Sequence, residues 1–199
     1  MHVRPVIALL CGLVAITSDE AFGQASPKPT ATATSVKFDA CALLSKKDVE
    51  AIQGSPIKDT KSSERADGDF RMSQCFFTAA EFSRSVTLVV FQKNPTGPSN
   101  RDPLEFWNRT FARYEKEKKE SDKKEPEGRQ GGEEEEGVPP RKIDKLGNEA
   151  FWVPNRFGGT LYALKGDAFI SISIGGSDSE QAKLDKSKKL AAKALKRLK

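Results

Sequence analysis

The segment TLYALKGDAFISISI, residues 160–174, carries the clearest secondary-structure signal in the chain. Apolar residues alternate with other residues over 160–165 and again over 168–174, a period of two that is typical of β-strands. Gly166-Asp167 joins the two runs, and this pair between alternating segments indicates a tight hairpin turn. In the second strand we expect one face to be buried and the other to be open to solvent or only lightly covered. The buried face consists of Ile170, Ile172 and Ile174, and the open one of Phe169, Ser171 and Ser173.

Further strands are predicted before this hairpin in the sequence. Residues 70–78 and 85–92 alternate in the same way, and the short polar segment between them predicts an antiparallel hairpin. Residues 58–69 are polar and form either a loop or a loose edge strand. Residues 150–154 predict one more short strand, after a turn at 147–149.

Two helix starts precede the hairpin. Ser45 with Asp48 matches a capping box, in which each side chain accepts a backbone N–H of the first turn, and Gly54 ends that helix. Asp102, followed by proline, caps a second helix. We expect a stripe at helical spacing to face the core there, formed by Leu104, Trp107, Phe111 and Tyr114.

A third helix follows the hairpin. Ser177 and Glu180 match its cap, and the helix is predicted to run to about Leu198. Its apolar stripe contains Leu184, Ala191, Leu195 and Leu198, with Ala194 beside it. Its basic residues are Lys183, Lys186, Lys188, Lys189, Lys193, Lys196 and Arg197. Cations near a helix C-terminus favour the helix dipole, and contact with an anionic surface is the alternative explanation.

These elements predict an α+β fold, an antiparallel sheet packed against two or three helices, with one disulfide. We assign residues 39–199 to a single domain and residues 115–141 to a disordered, charged insertion, because Val138 is its only apolar residue apart from prolines. Both halves of the domain run from strands to a helix, so a pseudo-repeat of two halves is compatible with the order of elements. Residues 26–38 are small, polar and proline-bearing, which is typical of a flexible linker.

Residues 1–25 match a secretory signal. Arg4 precedes an apolar run over 6–16 that is too short to span a bilayer, and small residues follow it. Cleavage after Gly23 or after Ala25 fits equally well. Leu9-Leu10 before Cys11 does not resemble a lipid-attachment site. The mature chain would keep 32 basic and 26 acidic residues, a net charge of +6.

Two cysteines remain after processing, Cys41 and Cys75. An even number of cysteines in an exported protein indicates a disulfide. A loop of this length constrains the unfolded chain by about 3–4 kcal/mol in the chain-entropy model. The predicted location is therefore periplasmic or secreted.

The only histidine of the chain is His2, inside the predicted signal. This excludes Ser-His-Asp and Cys-His catalysis and histidine-ligated metals in the mature chain. We predict no catalytic, cofactor-binding or metal-binding residue. The acidic candidates for a carboxylate-based hydrolase are all at predicted turns or helix starts: Glu81, Asp102, Glu105, Glu149 and Asp167. The run Glu133 to Glu136 lacks the loop pattern of a cation site.

Two motifs are similar to small exported bacterial proteins and lipoproteins in domain families of unknown function. The first is the segment CALLSKKDVEA, residues 41–51, which resembles their Cys-x-Leu-Leu-(Ser/Thr) start and is followed later by Cys75. The second is LGNEAFW, residues 146–152, which resembles their Leu-Gly-(Asp/Asn)-x-Ala-aromatic segment. The resemblance covers roughly residues 40–198. It implies the fold and an envelope location, but no activity.

The functional hypothesis from sequence is an exported, non-catalytic envelope protein that acts as a binding or interaction module. One alternative is binding to an anionic membrane surface through the basic C-terminal helix; another is a carboxylate-based hydrolase of envelope polysaccharide. The compatible partners are an envelope protein or an anionic surface. Export argues against nucleic acid in spite of the sequence pI of about 9.0, and no transmembrane segment is predicted in the mature chain.

Overall fold

The computed structural model describes residues 38–99, 102–121 and 138–198, which form a β-sheet with helices on both faces. The strands are β1 (Ile57–Asp67), β2 (Phe70–Ala79), β3 (Val86–Lys93), β4 (Arg141–Lys142), β5 (Glu149–Val153), β6 (Thr160–Lys165) and β7 (Ala168–Ile174). The helices are α1 (Ala40–Leu43), α2 (Lys46–Gln53), α3 (Pro103–Ser121) and α4 (Glu180–Arg197). Every strand pair is antiparallel, in the order β1-β2-β3-β7-β6-β5-β4. The predicted α+β fold is confirmed, with four helices among the described residues rather than two or three.

The predicted hairpin of β6 and β7 is confirmed at the residue level. Tyr162 lies opposite Ser171, and Gly166 takes a positive φ of 60° in the turn, which glycine adopts without steric cost. Ile170 and Ile172 are completely buried, as the alternation predicts. In the middle of the sheet, β7 pairs with β3, so this hairpin connects the two halves of the domain.

The other predicted hairpin, β2 with β3, is also present, and the segment between them contains a short 3-10 turn, Phe82–Arg84. Residues 58–69, predicted as a loop or a loose edge strand, belong largely to β1. This strand pairs with β2 over its whole length and forms one edge of the sheet.

The capping box of α2 is confirmed. The Ser45 hydroxyl accepts the Asp48 N–H at 3.1 Å, and the Asp48 carboxylate accepts the Ser45 N–H at 3.1 Å. Gly54 ends the helix in the left-handed conformation with φ 71°. The single turn α1, capped by Asp39, was not predicted.

Helices α1, α2 and α4 cover the first face of the sheet. This face carries the isoleucines of β7, and its largest buried side chains include Phe77, Leu88, Trp152 and Leu161. The predicted disulfide is present: Cys41 of α1 is bonded to buried Cys75 of β2, with Cα atoms 4.9 Å apart. It fixes the start of the domain to the second strand of the sheet.

Helix α3 packs on the second face, over a separate cluster of Trp107, Phe111, Phe151, Leu164 and Phe169. Trp107 and Phe111 are buried as predicted, and Tyr114 packs against the cluster. The prediction for Leu104 is wrong, because this side chain is 43% exposed. Pro103 takes the buried position at the start of the helix, and its spacing of four to Trp107 places Leu104 outside the interface.

The predicted start of α4 is two residues too early. Its N-cap is Ser179, whose hydroxyl accepts the Ala182 N–H at 3.3 Å, whereas Ser177 is exposed. The apolar stripe is correct, since Leu184, Ala191, Ala194, Leu195 and Leu198 are buried; Leu190 and the polar Ser187 are also fully buried.

Three boundaries predicted from composition can be compared with the described residues. Phe38, the last residue of the predicted linker, packs against the core and donates its N–H to Gln92 Oε1 at 3.0 Å. Helix α3 extends seven residues into the predicted insertion, and Arg141 at the insertion's other end already belongs to β4. The predicted signal, residues 26–37 of the linker, and the run Glu133 to Glu136 lie outside the described residues.

The pseudo-repeat is present in the order of elements, since each half is a strand meander followed by a helix. The two halves meet at the antiparallel β3–β7 pair. A two-fold axis through this pair would place both following helices on the same face. Helices α3 and α4 lie on opposite faces, so no such axis relates the two halves.

Candidate functional site: an uncharged corner of the sheet

Helix α3 crosses the second face diagonally. Its Phe106 ring lies 5.2 Å from that of Phe70 at the start of β2, and its Phe111 ring lies 4.7 Å from that of Phe151 in β5. The opposite corner, where β2 ends and β3 begins, belongs to neither hydrophobic cluster of the described residues. The helix therefore covers part of this face and leaves a corner of it uncovered.

We call this corner the open face. The strand register places Phe76 opposite Thr87, Thr87 opposite Ser173, and Ser173 opposite Thr160, in one row across four strands. Gln74 lies opposite Val89 in the next row. These six residues are half-buried. None of these six residues is charged, in a chain of which 31% of the residues are charged. The row is bordered in β1 by Lys61, which lies opposite Phe76.

The hydroxyl groups of the open face are partly paired with each other. Thr160 Oγ1 and Ser173 Oγ are 2.9 Å apart, and Asn155 Nδ2 donates to Thr160 Oγ1 at 3.4 Å. Ser171, one step further along β7, is only 9% exposed, and Phe169 is buried beneath α3. The expectation of an open serine face thus holds for the half-buried Ser173 and is wrong for Phe169 and Ser171.

Tyr162 marks the border between the open face and α3. Its ring lies 5.7 Å from that of Phe111. Burial raises the pKa of the Tyr162 phenol, because the charged form loses its hydration there. The phenol therefore stays neutral at physiological pH and adds no charge to the border.

Two exposed phenylalanines lie in loops at this end of the sheet. Phe82, in the turn between β2 and β3, is 70% exposed, and its ring lies 6.1 Å from that of Phe76. Phe157, between β5 and β6, is 69% exposed, with the guanidinium carbon of Arg156 4.8 Å from its ring centroid. Exposed aromatic side chains next to an uncharged surface are typical of protein interfaces.

The basic residues of α4 are largely engaged within the domain. Lys183 is buried and donates to Phe157 O at 2.7 Å, and Lys186 pairs with Asp178 at 2.6 Å. Lys193 and Arg197 both bond Asp48, each at 2.9 Å. Four of the seven basic residues of this helix therefore hold the fold together. Lys188, Lys189 and Lys196 remain exposed.

Asp48 and Asp178 are the carboxylates that these cations stabilise. The hydrogen bond from Lys193, with those from Ser45 and Arg197, lowers the pKa of Asp48 far below its ordinary value. The hydrogen bond from Lys186 likewise lowers the pKa of Asp178. Both groups are ionised at neutral pH, so neither suits the role of a general acid.

Three of the five acidic residues considered for a hydrolase accept hydrogen bonds from neighbouring groups. Glu149 accepts the indole N–H of buried Trp107 at 2.8 Å, Asp102 caps α3 through the Glu105 N–H at 2.7 Å, and Glu81 accepts the Ser83 hydroxyl at 2.8 Å. Glu105 and Asp167 are exposed. Three of the five acids therefore stabilise local structure.

One depression of about 380 Å³ lies beside the end of α4. Its polar lining residues are Lys145, Asn148, Lys165 and Lys196, without a carboxylate. Lys165 Nζ donates to the carbonyls of Leu195 and Leu198, so its ammonium caps the helix. The lining lacks the paired acids that glycoside hydrolysis requires.

Within the described ranges, no group of three or more histidine, cysteine or acidic residues is arranged to hold a metal ion. Over the same part of the chain, no helix has the length and apolar character needed to cross a membrane. Comparison of the chain with protein-family models, with curated proteins and with solved structures gives no match.

Part of this site follows from the sequence. The alternation in β7 pointed to Ser173. Phe82 and Phe157 were missed, because each is a single aromatic residue within a polar loop. An aromatic residue in an otherwise polar connection between two strands is the signal that could have found them.

Proposed function

We propose that this protein is exported to the cell envelope and acts there as a non-catalytic binding module, with another envelope protein as its partner at the open face. The observation that carries the proposal is the run of six uncharged positions on four adjacent strands, with the charged Lys61 only at its edge, opposite Phe76. Interface cores are depleted in charged residues and enriched in aromatic ones, and Phe76 with Phe82 supplies the aromatic part.

Export is supported by the signal-like segment 1–25 and by the Cys41–Cys75 disulfide. Disulfides persist in oxidising compartments such as the periplasm and the extracellular space. A non-catalytic role is supported by the sole histidine, His2, lying within that segment, and by the structural roles of the acidic residues described above.

No specific observation favours either of the two alternative functions. Binding to an anionic membrane surface needs free cations on one face of α4, and four of the seven bind groups within the domain. A polysaccharide hydrolase needs two acids facing one cleft, and three of the five candidate acids are engaged in local hydrogen bonds.

Photo-cross-linking in intact cells tests the proposal. A photoreactive residue replaces Thr87 or Ser173 in the open face, and a matched control replaces Lys189, which is exposed on α4 across the sheet. We expect one envelope protein to cross-link from both open-face positions and not from the control. We also expect Val89→Lys, which adds a charge to the open face, to remove the cross-link.

Equal cross-linking from Lys189, or none from Thr87 and Ser173, would contradict a binding surface at the open face. Export is measured separately, by sequencing the N-terminus of protein from an envelope extract. We expect it to begin after Gly23 or Ala25. An unprocessed N-terminus in the cytoplasm would overturn the location.

A further inference from the structure

The two edge strands of the sheet differ in length. At one edge, β4 contains only two residues and follows Pro139-Pro140. At the other edge, β1 contains eleven residues. Short edge strands and prolines are devices that prevent pairing with a further strand, because they leave few backbone groups to bond. The β4 edge is closed in this way. The β1 edge is long and is protected instead by charged side chains and a register shift between Ile57 and Asp59, so it suits a strand whose charges are complementary.

The long edge is accessible. Residues 61–67 of β1 are all exposed. Among the described residues, β1 pairs only with β2. Its outer side therefore presents a row of backbone N–H and C=O groups to a further strand, the geometry used in β-strand addition. A shift of register between Ile57 and Asp59 leaves residues 59–67 as the regular part.

We propose that β1 pairs antiparallel with β1 of a second copy of this chain, about a two-fold axis at Ser62, so that two seven-stranded sheets join into one. This inference is independent of what the open face binds. The two-fold axis stands normal to the sheet, so residues opposite each other across the interface must lie on the same face. This restricts the symmetric registers to those centred on one residue.

The charges of β1 select among these registers. Centred at Ser62, the pairing puts Asp59 opposite Arg65 twice and brings no like charges directly opposite each other. Centres at Lys61, Ser63 and Glu64 put like charges opposite: Lys61 with Lys61, Lys61 with Arg65, and Glu64 with Glu64, respectively. A centre at Thr60 opposes Asp59 and Lys61 instead, but it pairs only residues 59–61 of the regular part of the strand, against 59–65 for the centre at Ser62. Directly opposed opposite charges stabilise a strand pair and like charges destabilise it.

Both partners of the selected pair are available at the surface. The Asp59 side chain is exposed. The Arg65 side chain is 72% exposed and pairs with Asp67, itself 60% exposed, at 3.0 Å within the chain. An ion pair this exposed contributes little and does not hold the guanidinium away from a second carboxylate.

Charge reversal tests the register. The molar mass of the mature chain is measured by sedimentation over a concentration series up to about 0.5 mM, which spans the weak affinities of such contacts. We expect a concentration-dependent dimer. Asp59→Arg or Arg65→Asp alone should raise the dissociation constant at least about tenfold, because each change creates two like-charge pairs. The double variant Asp59→Arg/Arg65→Asp should restore the dimer, because it restores both opposite-charge pairs.

A control variant separates this edge from the open face: Val89→Lys should leave the dimer unchanged. Circular dichroism verifies that each variant is folded, which is expected for the changes at Asp59 and Arg65 because both side chains are exposed. A monomer at every concentration would overturn the proposal. So would a dimer that either single reversal leaves intact, or one that the double reversal fails to restore.

Discussion

The Asp48 carboxylate bonds the Arg197 guanidinium at 2.9 Å, across 149 residues of sequence. The same guanidinium donates to Leu43 O at 2.8 Å, and Asp48 also completes the capping box with Ser45. One carboxylate therefore joins the start of α2 to the end of α4. Helices α2 and α4 on the first face of the sheet are therefore held together by an ion pair as well as by hydrophobic packing.

We expect Asp48→Asn to lower the free energy of unfolding by about 1–2 kcal/mol, because it removes a charged capping group and two ion pairs. Asp48 is only 12% exposed, so water screens these interactions incompletely. The measurement is urea denaturation at pH 7. Asp67→Asn is the matched control: its pair with Arg65 is exposed on both sides, so its loss should cost less than about 0.5 kcal/mol. Equal losses in the two variants would contradict the role given to Asp48.

The depressed pKa values of Asp48 and Asp178 predict a loss of stability in acid. The unfolded chain binds protons at the ordinary aspartate pKa of about 4, and the folded chain binds them only at lower pH. The stability that both groups supply is therefore complete well above pH 4 and decreases as the pH falls through the lowered folded values. Urea denaturation at pH 6 and pH 3 should show a smaller decrease in the Asp48→Asn/Asp178→Asn variant than in the wild type. An equal decrease in the two proteins would show that other titrating groups determine the loss of stability in acid.

The bond between Glu149 and the buried Trp107 indole predicts a difference between two substitutions. Glu149→Ala leaves the indole N–H without its acceptor and should cost about 1–2 kcal/mol. Glu149→Gln keeps a carbonyl acceptor and should cost clearly less. Thermal unfolding, followed by tryptophan fluorescence, compares the two. A glutamine variant as unstable as the alanine variant would mean that the charge, rather than the hydrogen bond, matters.

The Cys41–Cys75 disulfide closes a segment with a sequence separation of 34. We expect Cys41→Ala/Cys75→Ala to lower the free energy of unfolding by about 3 kcal/mol, chiefly because the unfolded chain regains freedom. Guanidinium denaturation measures the loss. Wild-type protein unfolded with a reductant present is the control and should show a similar loss. If neither differs from the oxidised wild type, the disulfide does not stabilise the domain.

The hairpins and the caps of α2 and α3 were predictable because their signals are local. Gly166-Asp167 specifies a turn by its conformation, and Ser45 with Asp48 specifies a helix start by its hydrogen bonds. Strand β1 was harder, because its side chains are polar and exposed from residue 61 onward and so show no period. Pairing with β2 makes it a strand, and such pairing is a tertiary effect that its own sequence does not contain.

The open face could not be predicted from local sequence patterns, because it depends on which helix packs on which face of the sheet. Both faces of the sheet carry apolar side chains, and both α3 and α4 have an apolar stripe, so sequence alone does not assign each helix to its face. Only the packing shows that α3 covers Phe169 and stops short of Ser173. The uncharged corner that remains could therefore not be outlined from the alternation in β7.

The aromatic cluster beneath α3 shares no buried residue with the larger cluster across the sheet. We therefore expect helix α3 to open locally, below the global unfolding free energy, while the main core stays intact. Its amide protons should then exchange with deuterated solvent sooner than those of α4. Opening would expose Phe151, Leu164 and Phe169 on the sheet, beside the uncovered corner.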